Sequence, residues 1–197
     1  MNKEPRFRDI YFFHGRGGNP DGTVALLEKI LSHGYPDIHY HRPGLCHSDP
    51  LYMAEDALYH TEKKFLPLIL PNSLIVGVSL GGLIAAKLQE DHPEMNFSVF
   101  ALVTPTSCDN LKLEKKMTNR VALYSTLADD VIKGRCENWS ELTDLAFDVP
   151  WLMHDIDPAK YGICYLISCY LRNLDMRHEV EHLFPEPKTE DPSEQYT

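Results

Sequence analysis

Short apolar runs alternate with longer amphipathic segments along most of the chain. Six runs have the length and composition of strands, and they cover residues 9–13, 38–42, 74–76, 97–103, 121–125 and 148–153. A continuous apolar run such as residues 74–76 is typical of a strand buried on both faces of a parallel sheet. The pattern therefore predicts a mostly parallel sheet of about six strands.

Helical periodicity fills the segments between these runs. Asn19-Pro20 has the residue types of a helix cap and first turn, and the same signal recurs at Asp49-Pro50, with Leu51 on the buried face of the helix that follows. Another helix starts directly after Ser79 and ends at His92-Pro93. Strands and helices that alternate in this way predict a three-layer α/β/α domain with helices on both faces of the sheet.

Two further helices are predicted towards the carboxyl end. Asn138 is expected to cap a short helix whose apolar positions are Leu142, Leu145 and Ala146. The last helix is expected to bury one face, formed by Cys164, Ile167, Leu171 and Leu174. Residues 184–197 are rich in Pro, Glu and Ser, which predicts a disordered acidic tail after a single domain of residues 1–183.

The acidic composition restricts the choice of partners. The 197 residues include 29 acidic and 19 basic side chains, and a net charge of −10 argues against binding to nucleic acid or to an anionic membrane. Five scattered cysteines without C-x-x-C spacing indicate reduced thiols rather than a disulfide framework or a zinc site. Residues 1–9 are charged and lead into a strand, and no window has the length of a transmembrane helix. We therefore expect a cytoplasmic protein, and its oligomeric state stays open.

Ser79 stands at the centre of a G-x-S-x-G pentapeptide between a predicted strand and a predicted helix. Glycine on either side permits a turn too tight for neighbouring Cβ atoms, and the helix that follows aims N–H groups and its positive dipole end at the serine. This strand–turn–helix segment resembles the nucleophile elbow of the α/β-hydrolases. A glycine-flanked serine in an ordinary strand-to-helix loop is the alternative interpretation.

The resemblance covers about residues 9–175 and implies an α/β-hydrolase fold with Ser79 as the nucleophile and with neither cofactor nor metal. The loop H-G-R-G-G of residues 14–18 is similar to the oxyanion loop of small lipases and esterases in this family. The resemblance therefore implies the backbone N–H groups of Arg16 and Leu80 as oxyanion donors. The Arg16 side chain either reaches a substrate carboxylate or lies in solvent. A glycine loop after a strand also suits a phosphate group, so a phosphate-binding protein is a further alternative.

An acid and a base follow the last two predicted strands. Asp129 begins a D-x-Φ-Φ segment, where Φ is apolar, that resembles the acid loop of the family, and Asp130 is its competitor because loops tolerate shifts of one residue. His154 follows the last predicted strand, and the order Ser, Asp, His is that of the α/β-hydrolases. His178 and His182 have helical spacing, for which a solvated helix face is preferred over a metal site.

These residues predict a serine hydrolase that cleaves carboxylic esters or thioesters through an acyl-enzyme. Residues 105–119 stand where larger family members insert a lid, and this segment is too short for a substantial cap, so small soluble substrates are expected. The alternative is a catalytically inactive hydrolase-like fold that acts as a protein interaction module.

Overall fold

Six strands form one parallel sheet in the computed structural model, which describes residues 5–46, 49, 51–158 and 162–183. Two further short strands of the described residues lie outside this sheet. Numbered together in chain order, the strands are β1 Asp9–Phe13, β2 His39–His41, β3 Leu74–Val78, β4 Ser98–Leu102, β5 Ser107–Cys108, β6 Leu111–Lys112, β7 Arg120–Tyr124 and β8 Leu145–Asp148. The sheet has the order β2-β1-β3-β4-β7-β8, and each neighbouring pair is parallel. β5 and β6 form a separate antiparallel hairpin. The prediction of a mostly parallel sheet of about six strands is confirmed.

Helices cover both faces of the sheet. They are α1 Thr23–Gly34, α2 Ala54–Lys64, α3 Leu80–Asp91, α4 Trp139–Leu142, α5 Ile163–Leu171 and α6 Met176–Leu183. One apolar cluster joins the sheet to α1, α5 and α6, and a second joins its other face to α2, α3 and α4. Every residue of β3, β4 and β7 is buried, because both faces of these central strands are covered. The predicted three-layer architecture is confirmed.

The strand order brings two loops together at one edge of the sheet. From β1 the chain crosses to β2 on one side, whereas β3 pairs with the other side of β1. Such a reversal leaves a crevice at the carboxyl ends of the strands, where ligands bind in open α/β sheets. The loop after β1 and the turn after β3 therefore meet at this crevice.

The last strand lies earlier than the sequence pattern predicts. Residues 148–153 were expected to be extended, but β8 is Leu145–Asp148, and the two apolar positions assigned to a helix, Leu145 and Ala146, belong to that strand. α4 consequently ends at Leu142, and within the described residues Asn138 makes no side-chain capping bond. Pro150 explains where the ladder ends, since proline has no N–H to continue it.

Two helices start later than their cap signals suggest. The Asn19 side chain accepts a hydrogen bond from the Asp21 N–H at 2.8 Å, a local turn that uses the oxygen expected to cap α1. Asp49 accepts the Leu51 N–H at 2.9 Å in the same way, and α2 begins at Ala54. Leu51, expected on the buried face, is therefore 87% exposed.

The carboxyl-terminal region contains two helices where one was expected. α5 ends at Leu171, and Asn173 adopts a left-handed conformation with φ of 55°, which stops the helix before α6 begins. Leu174 is exposed rather than packed on the last helix. The predicted acidic tail, residues 184–197, lies outside the described residues.

Candidate active site

Ser79 occupies a strained turn between β3 and α3. Its φ is 53° and its ψ is −125°, a region that residues with a side chain rarely adopt. The Ser79 N–H donates to the Leu102 carbonyl at 2.9 Å, which ties the turn to the end of β4. The backbone is therefore held in a conformation that lifts this serine out of the strand.

The glycines around Ser79 are required by space. A Cβ on Gly77 would lie 2.6 Å from the backbone nitrogen of Gly82, and a Cβ on Gly81 would lie 2.5 Å from the Phe13 carbonyl oxygen. A Cβ on Gly82 would overlap the Thr104 hydroxyl. At Gly77 and Gly81 no side chain fits unless the backbone moves, so α3 packs directly onto the ends of β1 and β3.

The start of α3 supplies backbone donors beside Ser79. The N–H groups of Gly82 and Leu83 both bond to the Ser79 carbonyl, at 3.0 and 3.2 Å. Leu80 precedes them as the first residue of the helix, and the first N–H groups of a helix have no intrahelical acceptor. The Leu80 N–H therefore lies next to the serine at the positive end of the α3 dipole.

His14 holds the loop of residues 14–18 in place. The Leu45 N–H donates to its Nε2 at 3.2 Å, so the ring proton is on Nδ1, which donates to the Gly15 carbonyl at 2.9 Å. Burial lowers the pKa of His14, which favours this neutral form. The Gly18 N–H donates to the same Gly15 carbonyl at 3.0 Å. The Gly18 N–H, a donor that a phosphate site in this loop would need, is thus already bonded within the loop.

The Arg16 side chain is bound by the β5–β6 hairpin. Its guanidinium forms an ion pair with the Asp109 carboxylate and lies 3.5 Å from the Cys108 sulfur. Its buried Nε has no hydrogen-bond partner in the part of the chain that the structure describes. The two expected environments, a substrate carboxylate or solvent, are replaced by a carboxylate from this chain.

Asp129 and His154 are hydrogen bonded to each other. His154 Nδ1 lies 2.9 Å from Asp129 Oδ2, and Asp129 is fully buried whereas the His154 side chain is 25% exposed. The other carboxylate oxygen, Oδ1, accepts the N–H groups of Val131 and Ile132 at 3.0 and 3.3 Å. Asp130, the competing acid, is exposed.

A small cavity joins the residues singled out by sequence. Its volume is about 230 Å³, and its lining includes Arg16, Ser79 and His154 together with the loop that leads into α1. Asp129 lies behind His154, and Leu80 adjoins Ser79 in the chain. A larger cavity of about 540 Å³ lies at the opposite edge of the sheet, beside Asn72, Asn96 and Asn119, and contains none of these residues.

His178 and His182 lie away from this cavity. Both are on α6 and exposed, as expected for a solvated helix face. Within the described residues, no group of three or more His, Cys, Asp or Glu side chains could hold a metal ion, and no helix is long and apolar enough to cross a membrane.

Several residues that shape the site carry no recognisable sequence signal. Asp148, at the end of β8, accepts the Thr126 N–H at 3.0 Å and its hydroxyl at 2.5 Å, and the Ser125 hydroxyl accepts the Ala128 N–H at 2.9 Å. These bonds hold the start of the loop that carries Asp129. Since the partners are far apart in sequence or use common residue types, only the fold reveals them.

The fold matches solved structures at low sequence identity. No protein-family model and no curated protein sequence matches the chain. An α/β-hydrolase enzyme from the sediment metagenome of the Mar Chica lagoon, Morocco, has a TM-score of 0.63 at 14% identity, over 87% of this chain and 94% of that chain. The type II thioesterase BorB from the borrelidin biosynthetic cluster has a TM-score of 0.60 at 14% identity, over 87% and 94%. The mouse α/β-hydrolase domain-containing protein 10 has a TM-score of 0.60 at 10% identity, over 87% and 90%. The parallel sheet, its two helical layers and these likenesses together show that the chain has the α/β-hydrolase fold.

Proposed function

We propose that the protein is a serine hydrolase that cleaves carboxylic esters or thioesters of small substrates through an acyl-enzyme on Ser79. The observation that carries the proposal is the buried Asp129 carboxylate bonded to His154, whose ring lines the same cavity as the strained Ser79. Nucleophilic acyl transfer needs a serine nucleophile, an imidazole base beside it and a buried acid that orients the imidazole. We also propose that it acts in the cytoplasm, where its five cysteines stay reduced.

In the first step the Ser79 hydroxyl attacks the substrate carbonyl while His154 Nε2 takes the hydroxyl proton. Asp129 keeps the other imidazole proton on Nδ1 and stabilises the imidazolium that forms. The carbonyl oxygen becomes negative in the tetrahedral intermediate and accepts hydrogen bonds from the Arg16 and Leu80 N–H groups.

Collapse of this intermediate breaks the bond to the leaving group. His154 returns its proton to the departing alcohol or thiol, which leaves an ester between the acyl group and Ser79. A water molecule then attacks that ester with His154 again as the base, and the acid product leaves with Ser79 restored.

The cavity supports a small acyl group. Its volume of about 230 Å³ is below the roughly 300–1,000 Å³ of pockets that enclose a drug-sized ligand. Val24 and Val78 supply apolar surface and Asn19 and Thr23 supply polar groups. A short acyl chain with a polar end fits this lining better than a long fatty chain.

Both carboxylic esters and thioesters suit the proposed chemistry. One structural neighbour, BorB, is a type II thioesterase, and at 14% identity it supports thioester cleavage only as one member of the same reaction class. Oxygen and sulfur leaving groups use the same nucleophile, base and oxyanion donors.

An interaction module without catalytic activity is the second candidate. Four large apolar side chains on the segments around Asp129 and His154 are exposed: Leu127, Val131, Trp151 and Met153. Exposed apolar groups of this size favour contact with another molecule, either a partner protein or an apolar part of a substrate.

Turnover of p-nitrophenyl acetate by Ser79→Ala separates the two candidates. Ser32→Ala is the matched control, because Ser32 is half-buried on α1, away from the cavity, and its hydroxyl donates to the Lys29 carbonyl of the same helix. The proposal predicts that Ser79→Ala loses turnover while Ser32→Ala retains it. Equal turnover in the two variants would contradict the proposal, and an inactive wild-type protein would favour the interaction module.

A further inference from the structure

The β5–β6 hairpin contacts the loop that carries the proposed oxyanion donor. Asp109 stands at the turn of this hairpin with φ of 53°, and its Oδ2 binds the Arg16 guanidinium. The same oxygen accepts the Ala54 N–H at 2.8 Å, at the start of α2. The carboxylate therefore joins the loop after β1, the hairpin and α2.

The hairpin turn is itself fixed to α2. Asn110 donates from its side chain to Glu55 Oε1 at 2.7 Å. Burial tends to raise the pKa of Asp109, but the bonds from Arg16 and Ala54 together with two arginine charges lower it overall, so the carboxylate stays charged at neutral pH. Asp109 is thus an anion held in position by the fold.

The Arg16 segment has two anchors on opposite sides. His14 holds the inner side through Leu45 and Gly15, whereas Asp109 holds the outer side through the Arg16 guanidinium. Among the described residues the buried Arg16 Nε has no hydrogen-bond partner, so the Asp109 carboxylate is the principal group there that holds this cation. The guanidinium and the N–H of Arg16 are joined through one Cα, so the ion pair with Asp109 limits how far this Cα and the attached donor can move.

We infer that Asp109 is a positioning residue that holds the Arg16 N–H in the geometry needed to stabilise the oxyanion. This inference rests on the proposed hydrolase function. The oxyanion forms only in the transition state and the intermediate, so loss of the anchor lowers kcat and leaves KM nearly unchanged. Loss of a whole oxyanion donor costs about 100- to 1,000-fold in kcat. A displaced donor costs less, and we expect a decrease of about 10- to 100-fold.

Asp109→Gly is the decisive variant, because glycine accepts a positive φ and removes the carboxylate without backbone strain. Asp109→Asn keeps an oxygen for Ala54 but loses the charge, so its kcat should lie between those of Asp109→Gly and the wild type. Asp91→Asn is the matched control, since Asp91 pairs with Lys87 on α3 at the far end from Ser79. It should retain the wild-type kcat.

Two measurements on the full chain test the inference: kcat and KM for p-nitrophenyl acetate, and amide hydrogen exchange of the peptide that contains residues 14–18. The expected result for Asp109→Gly is a lower kcat, a KM within about twofold of wild type and faster exchange in that peptide. An unchanged kcat, or a lower kcat with unchanged exchange, overturns the inference. An inactive wild-type protein overturns the proposed function instead, and the exchange data then report whether the anchor exists without it.

Discussion

Replacement of Asp129 by Asn should lower kcat by about 10,000-fold, the cost of this amide exchange in a Ser-His-Asp triad. The structure explains how the loss arises. Oδ1 accepts two backbone N–H groups, from Val131 and Ile132, while Oδ2 faces His154 Nδ1. An amide has one oxygen, and the two N–H donors select it for the Oδ1 position. The NH₂ group then faces Nδ1, so the imidazole carries its proton on Nε2 and cannot accept the proton of Ser79.

A 10,000-fold decrease corresponds to about 5.4 kcal/mol of transition-state stabilisation. The assay is initial-rate hydrolysis of p-nitrophenyl acetate, with unfolding in urea to verify that the variant is folded. Asp130→Asn is the matched control, and because Asp130 is exposed its kcat should stay within about twofold of wild type. A nearly normal Asp129→Asn beside an inactive Asp130→Asn would refute the assignment of the acid and the tautomer argument with it.

Three further predictions follow from other parts of the site. Burial lowers the pKa of His14, so the unfolded chain binds a proton before the folded one does as the pH falls. The free energy of unfolding should therefore fall below about pH 6.5, and urea titrations should show a smaller fall in His14→Asn; equal falls would contradict this. Gly82→Ala should lower the free energy of unfolding by about 1–3 kcal/mol, because the new Cβ overlaps Thr104, and Thr104→Ala should restore part of the loss; an unchanged urea midpoint would count against the packing argument. The cavity of about 230 Å³ should give p-nitrophenyl acetate a higher kcat/KM than p-nitrophenyl palmitate, and the reverse order would show that the site extends beyond it.

The elbow can be predicted from sequence because its constraints are local. An apolar run specifies a buried strand, and Gly77 and Gly81 are needed wherever a helix packs so closely against the strand ends. β1 is likewise predicted from a local apolar run, and its observed bounds, Asp9–Phe13, are the predicted ones. Periodicity and turn chemistry act over a few residues, which is the range that a single sequence reveals.

The region before His154 shows where such reasoning fails. Leu145 and Ala146 fit a helical face, but they pair with Val121 and Ala122 in the sheet. Tertiary pairing overrides local pattern at an edge strand, since the backbone donors of β7 need partners. His154 nevertheless meets Asp129, because the segment after β8 makes a turn in which the Leu152 N–H donates to the Val149 carbonyl, and His154 follows this turn.

The contacts that hold the loops of the site in place could not be predicted from the sequence. Asp109 and Arg16 are separated by 93 residues, and Asp148 and Thr126 by 22. Nothing in the residue types distinguishes these acids from others on the surface. Their roles follow from the strand order, which places the loops that carry them at one edge of the sheet.

A fluorophosphonate adduct mapped by mass spectrometry tests directly whether Ser79 is the nucleophile that forms the acyl-enzyme. A fluorophosphonate reacts with a serine only where an adjacent base activates the hydroxyl. We expect one adduct per chain, on the peptide that contains Ser79, with labelling absent in Ser79→Ala and slowed in Asp129→Asn. A folded wild-type protein that takes up no probe, or that carries the adduct on another serine, would contradict an acyl-enzyme on Ser79.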